Sequence, residues 1–225
     1  MKSSMKFFIV LFAFLIANTL FAQNIRQIDS LSIEMCKSFA ALNNMDAEKK
    51  FENVLENHLY AYLEKKKVSS QAEADSISSR IYYRLQKNCT IFREMLAELE
   101  ENKSDWKKLE GKPSTKIQAK DFKSFTKGGN FFYKEYDGEI VNVLVSGNFW
   151  TETFENGTTS KLSFIPKKDG EFDLKFIESN NEKRKNFSVK EELYYYGIYA
   201  KETDGFLIWV KTKENQFLSF KLYSK

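Results

Sequence analysis

The chain changes its hydrophobic period once. Up to about residue 110, apolar residues recur at three- and four-residue spacing, as on a helix with one buried face. Ile25, Ile28, Leu31, Met35, Phe39 and Leu42 make a first stripe. Phe51, Val54, Leu55, His58, Leu59, Tyr62 and Leu63 make a second. Asp46 stands before it as an N-cap, and Glu48 and Glu52 suit the positive end of the helix dipole. Ile77, Ile81, Leu85, Cys89, Phe92, Met95, Leu96 and Leu99 make a third, opened by Ser70 and Glu73 at capping-box spacing. Three amphipathic helices with short connections predict an antiparallel bundle over 23–110.

From Asn130 the period is two. Strands are expected near 131–136, 139–145, 148–154, 158–165, 171–178, 193–201, 205–211 and 216–223. Between them recur Asp137-Gly138, Ser146-Gly147, Asn156-Gly157, Asp169-Gly170 and Asp204-Gly205, which are hairpin-turn signals. In the fifth strand Phe172, Leu174 and Phe176 share a face; in the last, Phe220 lies between Leu218 and Leu222 on one face. The predicted class is α+β: an N-terminal three-helix bundle, then an eight-stranded antiparallel β-meander over 130–225. Such a meander closes into a small barrel or curls strongly around its apolar face. Segment 111–129 is polar and lysine-rich, broken by Gly111, Pro113 and Gly128-Gly129, and reads as a linker. Trp106 and Leu109 are expected to fold back on the helices, and Phe122 and Phe125 to anchor to the strands.

Residues 1–22 follow a different logic. Lys2 and Lys6 precede or flank an apolar run from Phe7 to Ala17, and Phe21-Ala22-Gln23 offers a cut after Ala22, with Ala17 as the alternative. A basic start, a short apolar run and a small residue describe a secretory signal peptide. The expected address is therefore the periplasm or the extracellular space. No later run reaches the roughly 18 apolar residues of a membrane helix, so no transmembrane segment is expected in the mature chain. Without Lys2 and Lys6, two of the 35 basic residues, the basic side chains nearly balance the 31 acidic ones. That balance argues against nucleic acid as a partner.

Cys36 and Cys89 are the two cysteines. An even count in an exported chain reads as one disulfide, clamping the first helix to the third. Free buried thiols are the alternative reading.

Motifs for chemistry are sparse. The sequence has no G-x-S-x-G, no Walker A loop, no G-x-G-x-x-G, no H-E-x-x-H and no EF-hand loop. His58 is the single histidine and sits on an apolar stripe, where a core-edge histidine with a local partner is expected. No metal and no cofactor are implied. Glu152, Glu155, Asp173 and Glu178 are carboxylates on neighbouring strands or turns, and paired acids can hydrolyse glycosides. Solvated surface charge accounts for them equally.

Two features bear on binding. Phe149, Trp150, Tyr195 and Trp209 belong to an aromatic-rich second half and are candidates to line a cavity for a small apolar ligand. They serve equally to fill a small barrel. Ser179 to Glu192 is much the longest connection in the meander. Asn180, Asn181, Lys183, Arg184 and Lys185 place a local positive patch there, a candidate binding loop on a rigid sheet.

The stretches "FWTETFENGTTSKLSF", "FDLKFIESNNEKRKNFS", "FKLYSK" and "YRLQKNCTIFREM" resemble exported, uncharacterised proteins of Bacteroidota that pair a helical N-terminal part with a lipocalin-like β-meander. The resemblance implies the fold and export; it carries no activity. The expected role is a non-enzymatic binding protein contacting a protein or cell-envelope component through its sheet loops. A carrier of a small apolar ligand is the second reading, and a secreted hydrolase using carboxylates the third.

Overall fold

A computed structural model describes residues 25–42, 44–99 and 103–225. The signal-peptide reading of 1–22 lies outside the described residues. The chain divides into two compact units, the first running to Phe92 and the second from Arg93.

The first unit is helical. Helix α1 spans 25–41. Helix α2 (Ala47–Val54) runs through a π-turn, Leu55–Tyr60, into α3 (Ala61–Lys65). Asp46 caps α2 by accepting from Lys49 N at 3.0 Å. The third predicted stripe divides in two, α4 (Gln71–Asn88) and α5 (Thr90–Leu99). The break is Cys89, whose backbone turns extended. A helix-period pattern cannot register one such residue, because the stripe keeps its phase across it. The disulfide forms: Cys36 and Cys89 are joined, with Cα atoms 5.6 Å apart.

Apolar contacts follow the stripes. Met35, Phe39, Val54, Leu85 and Phe92 are fully buried. The Phe92 ring meets Phe39 at 5.5 Å, Phe51 at 6.2 Å and Tyr82 at 5.7 Å. Arg84 is 1 % exposed and holds Asp29 with two bonds, Nε to Oδ1 at 2.6 Å and Nη2 to Oδ2 at 2.8 Å. A buried guanidinium requires such bidentate pairing.

The second unit is a closed eight-stranded antiparallel β-barrel with helices. Its strands are β2 (Gly129–Lys134), β3 (Ile140–Ser146), β4 (Phe149–Thr153), β5 (Thr159–Pro166), β6 (Glu171–Ser179), β7 (Leu193–Glu202), β8 (Gly205–Lys211) and β9 (Phe217–Ser224). Each pairs with the next, and β9 returns to β2 through Phe131↔Ser224 and Phe132↔Tyr223. A short β1 (Lys107–Leu109) pairs with the start of β9. Register shifts at Lys161/Leu162 and Ile198/Ala200 mark irregularities in the β5–β6 and β7–β8 pairings, where strands bend. The Asn156-Gly157 turn uses a left-handed glycine, φ 77°.

The inner face is the predicted apolar one. Val141, Val143, Val145, Phe164, Phe172, Leu174, Ile198, Ile208 and Leu222 are at most 2 % exposed. Part of the expected linker belongs to the barrel: α6 (Ala119–Thr126) sends Phe125 into the core. Its ring lies 5.2–5.8 Å from those of Phe131, Phe164, Phe172 and Phe206. Trp106 and Leu109, expected on the helices, lie against the barrel. Trp106 stacks on Phe220 at 4.5 Å, and Leu109 pairs with Phe217. Apolar residues beside a boundary join whichever core they can reach, and periodicity does not name that core.

Candidate functional site

The end of the barrel opposite Phe125 is closed by the candidate binding loop itself. Within it, α7 (Glu182–Phe187) forms one and a half turns. Asn181 starts it, accepting from Arg184 N at 3.1 Å, and its Nδ2 donates to Thr158 Oγ1 at 2.9 Å. Asn180 Oδ1 accepts from Thr159 N at 2.6 Å. These asparagines act as caps and ties.

The cations of the loop are engaged by acids of the barrel. Arg184 Nε donates to Glu152 Oε2 at 3.0 Å, and Nη2 pairs with Glu135 and with the Tyr133 hydroxyl. Its guanidinium also stands 5.3 Å from the Phe154 ring centre. Tyr133 Oη in turn donates to Glu152 Oε1 at 2.9 Å. Lys183 Nζ reaches Asp137 and Glu139, both at 3.0 Å. Lys185 pairs with Glu182 within the helix. The positive patch is thus matched by neighbouring carboxylates.

Burial opposes the Arg184 charge, but Glu135, Tyr133 and Glu152 outweigh it and hold its pKa well above the ordinary value. Burial pushes the Tyr133 hydroxyl well up; Arg184 pulls the other way, while Glu152 and Glu135 add to the rise. Tyr196, on the same inner wall, is raised first by burial and then by Glu152. Both phenols stay protonated at neutral pH.

Two buried polar atoms on β4 and β5 lack partners among the described residues. Trp150 Nε1 and Ser160 Oγ are buried and make no hydrogen bond among the described residues. Both side chains face inward, from β4 and β5. Ser160 is paired opposite Glu152, and Trp150 stands opposite Leu162, one step deeper. Each such orphan costs about 1–3 kcal/mol if nothing meets it.

The four proposed cavity-lining residues do not share one chamber. Trp150 is inside and stacks near Phe172 at 6.1 Å. Phe149 and Tyr195 point outward, 42 % and 45 % exposed. Trp209 is buried but on the outer side of the wall, out of phase with the inward Phe206 and Ile208. It lies over Gly197, meets Phe217 edge-on at 5.6 Å and receives Lys112 Nζ at 5.1 Å. The twofold pattern marks two faces; both can be apolar, so it does not say which is inside.

The carboxylates considered for hydrolysis are also dispersed. Glu152 is inside on Arg184, Asp173 pairs with Lys167 at 2.6 Å on the outer wall, and Glu178 is exposed opposite Lys161. Glu155 accepts weakly from Ile140 N at 3.3 Å. His58 has the local partner expected of it, Ser38 Oγ at 2.7 Å from Nε2. Among the described residues no group of His, Cys, Asp or Glu is placed to hold a metal, and no helix is long and apolar enough to cross a membrane.

Sequence reasoning missed Tyr133 and Glu135 as partners of Arg184. A signal existed: Phe131, Tyr133 and Glu135 alternate on one side of β2 and its exit, as Trp150 and Glu152 do on β4. A glutamate in phase with core aromatics needs a cation. Which cation was not legible. No family model, curated protein or solved structure matches this chain.

Proposed function

We propose that the chain is an exported, non-enzymatic binding protein that meets a protein or cell-envelope component on the outer wall of its barrel. One observation carries this reading. Leu144, Phe149, Ile165, Leu193 and Tyr195 are each at least 40 % exposed and all face outward on β3 to β7. Phe149 is diagonal to Leu144 on one neighbouring strand and to Ile165 on the other, and Asp173 stands between Ile165 and Tyr195. Exposed apolar groups gathered in this way mark contact surfaces. Lys161 and Lys167 lie over the Phe149 and Tyr195 rings, at 4.1 and 5.4 Å, and supply a polar rim. The loop contact first expected for Lys183 and Arg184 is less favoured, since both already hold carboxylates of the barrel.

The signal-like residues 1–22, the disulfide and the lack of a membrane-crossing helix among the described residues support a periplasmic or extracellular address. We read the helical unit as a three-armed bundle that the disulfide steadies there.

The test is site-specific photo-crosslinking in the native host. A crosslinker replacing Phe149 or Tyr195 is expected to trap the same partner, and one replacing Lys213, in the exposed turn after β8, is not. Equal trapping from all three positions, or none from Phe149 and Tyr195, overturns the reading.

A further inference from the structure

We propose that the outward face of α6 docks this end of the barrel onto an anionic lipid bilayer, through Lys120, Lys123 and Lys127, with Lys116 just ahead of the helix. The proposal goes beyond the outer-wall reading and uses none of its residues.

The face follows from what α6 buries. Phe125 is 2 % exposed among the barrel rings, and Phe122 packs against the same core. At about 100° per residue these two set the inward side, and Lys120, Lys123 and Lys127 fall opposite it. All three are exposed, as is Lys116. Among the described residues none of the four is paired with a carboxylate. The one acid of α6, Asp121, is held by Lys201 at 2.8 Å. Nearby charges are largely matched: Lys112 pairs with Glu171, Lys167 with Asp173, and Lys221 with both Glu202 and Asp204. Lys168 and Asp169 offset each other in the β5–β6 turn. Four lysines thus outweigh the one carboxylate left over at this end. The face is also preformed, since Lys116 N donates to Tyr199 O at 2.7 Å and fixes the chain entering α6.

The kind of partner follows from the residue types. The face is lysine throughout, with no arginine. An ammonium is a hydrated point charge and lacks the fork that recognises one carboxylate or phosphate in fixed geometry. Such a face responds to an extended field rather than to a shaped ligand. A protein partner would need apolar contact at the centre of the interface, where Lys, Ser and Ala are depleted. Here Ala119, Lys120, Lys123, Ser124 and Lys127 are the exposed residues, and no large apolar side chain is exposed between Lys112 and Asn130. An anionic bilayer supplies the field over an area wider than α6, and each lysine near its surface strengthens binding about fivefold. The other basic run of the barrel, Lys183 to Lys185, is neutralised by carboxylates and offers no such face.

The experiment uses the full chain after removal of residues 1–22, with vesicles of phosphatidylcholine alone or mixed equally with phosphatidylglycerol. Sedimentation is expected to show binding to the mixed vesicles, none to phosphatidylcholine, and a steep loss as salt is raised. Lys120→Gln, Lys123→Gln and Lys127→Gln together are expected to weaken binding roughly a hundredfold, at about fivefold per charge. A control triple at the α7 end, Lys185→Gln, Lys190→Gln and Lys213→Gln, removes the same net charge and is expected to change binding less than about twofold. All six lysines are exposed, so both triples should keep the parent melting curve. Absence of binding to the mixed vesicles, or an equal loss from the two triples, overturns the proposal. So does a soluble polyuronate that binds more tightly and strips the protein from the vesicles, since the face would then serve an acidic polysaccharide.

Discussion

Arg184 donates through Nε to Glu152 at 3.0 Å, joining a six-residue helix to the inner wall of β4. The Arg184 side chain is 19 % exposed and that of Glu152 10 %, so neither charge is well solvated without the other. The longest connection in the barrel is therefore shaped by what it covers. Without that pairing, residues 182–187 would have little reason to hold a helix, which is too short to be stable alone.

Arg184→Ala should cost about 3 kcal/mol, because it leaves Glu135 and Glu152 without their shared cation. Arg184→Lys should recover part of this, since a lysine keeps the charge but not the forked geometry. Urea unfolding monitored by tryptophan fluorescence checks both. A double-mutant cycle with Glu152→Gln should show coupling well beyond additivity. Additive losses would mean the pair contributes nothing as a pair.

The helical unit should depend on its disulfide more than the barrel does. A crosslink with 53-residue separation contributes about 4 kcal/mol on the chain-entropy account. All three tryptophans lie beyond Arg93, so fluorescence follows the barrel while the helical circular-dichroism signal follows the first unit. Replacing Cys36 and Cys89 with alanine should lower the helical transition and leave the fluorescence transition in place.

Gly197→Ala should destabilise the barrel by about 1–3 kcal/mol. A Cβ at this position would stand 2.5 Å from the Trp209 ring, which lies across the backbone there. The companion change Trp209→Leu should relieve much of the clash at the cost of lost packing. Thermal melts of the single and double variants decide whether the two positions are coupled as the contact requires.

Filling by Phe125 should matter as much as any strand residue. Phe125→Ala removes a 2 %-exposed ring that touches four others, and should cost about 3–5 kcal/mol. Hydrogen exchange should then rise first at the α6 end of the barrel, while the α7 end keeps its protection.

Acid should loosen α7 through Asp137. Burial pushes its carboxyl up, but the Glu139 backbone N–H and Lys183 together hold it below the usual aspartate value. The stabilisation is thus full above the unfolded-state value of about 3.9 and is lost as pH falls through the lower folded-state value. Lys183 is raised despite burial, by Asp137 and Glu139, so its share is full below about pH 10.4 and fades above that. Asp137→Asn should lower stability at pH 7 and shrink the extra loss seen on acidification to pH 3. An unchanged acid loss would show that Lys183 is held by Glu139 alone.

Much of the fold was legible because alternation and turn chemistry are local. Asn156-Gly157 sets its own turn, and Phe172, Leu174 and Phe176 mark one face without reference to any other strand. The eight expected strands match β2 to β9 within a few residues. Cys36 and Cys89 were legible as a pair because they were the two cysteines available. The break at Cys89 was not, since one extended residue leaves the helical stripe in phase.

The sequence by itself thus determined the class of each half, the turns that join the strands, the apolar face shared by Phe172, Leu174 and Phe176, and the cysteine pairing. Only the tertiary structure decided whether the meander closed, because closure rests on β9 meeting β2, residues far apart in the chain. It also decided that Trp209 faces out, that Trp106 joins the barrel, and that the Lys183–Arg184 patch turns onto Glu139 and Glu152. These outcomes share one physical reason. Period and propensity act between neighbours in sequence, whereas a buried charge or ring takes its place from whichever distant groups can neutralise or cover it.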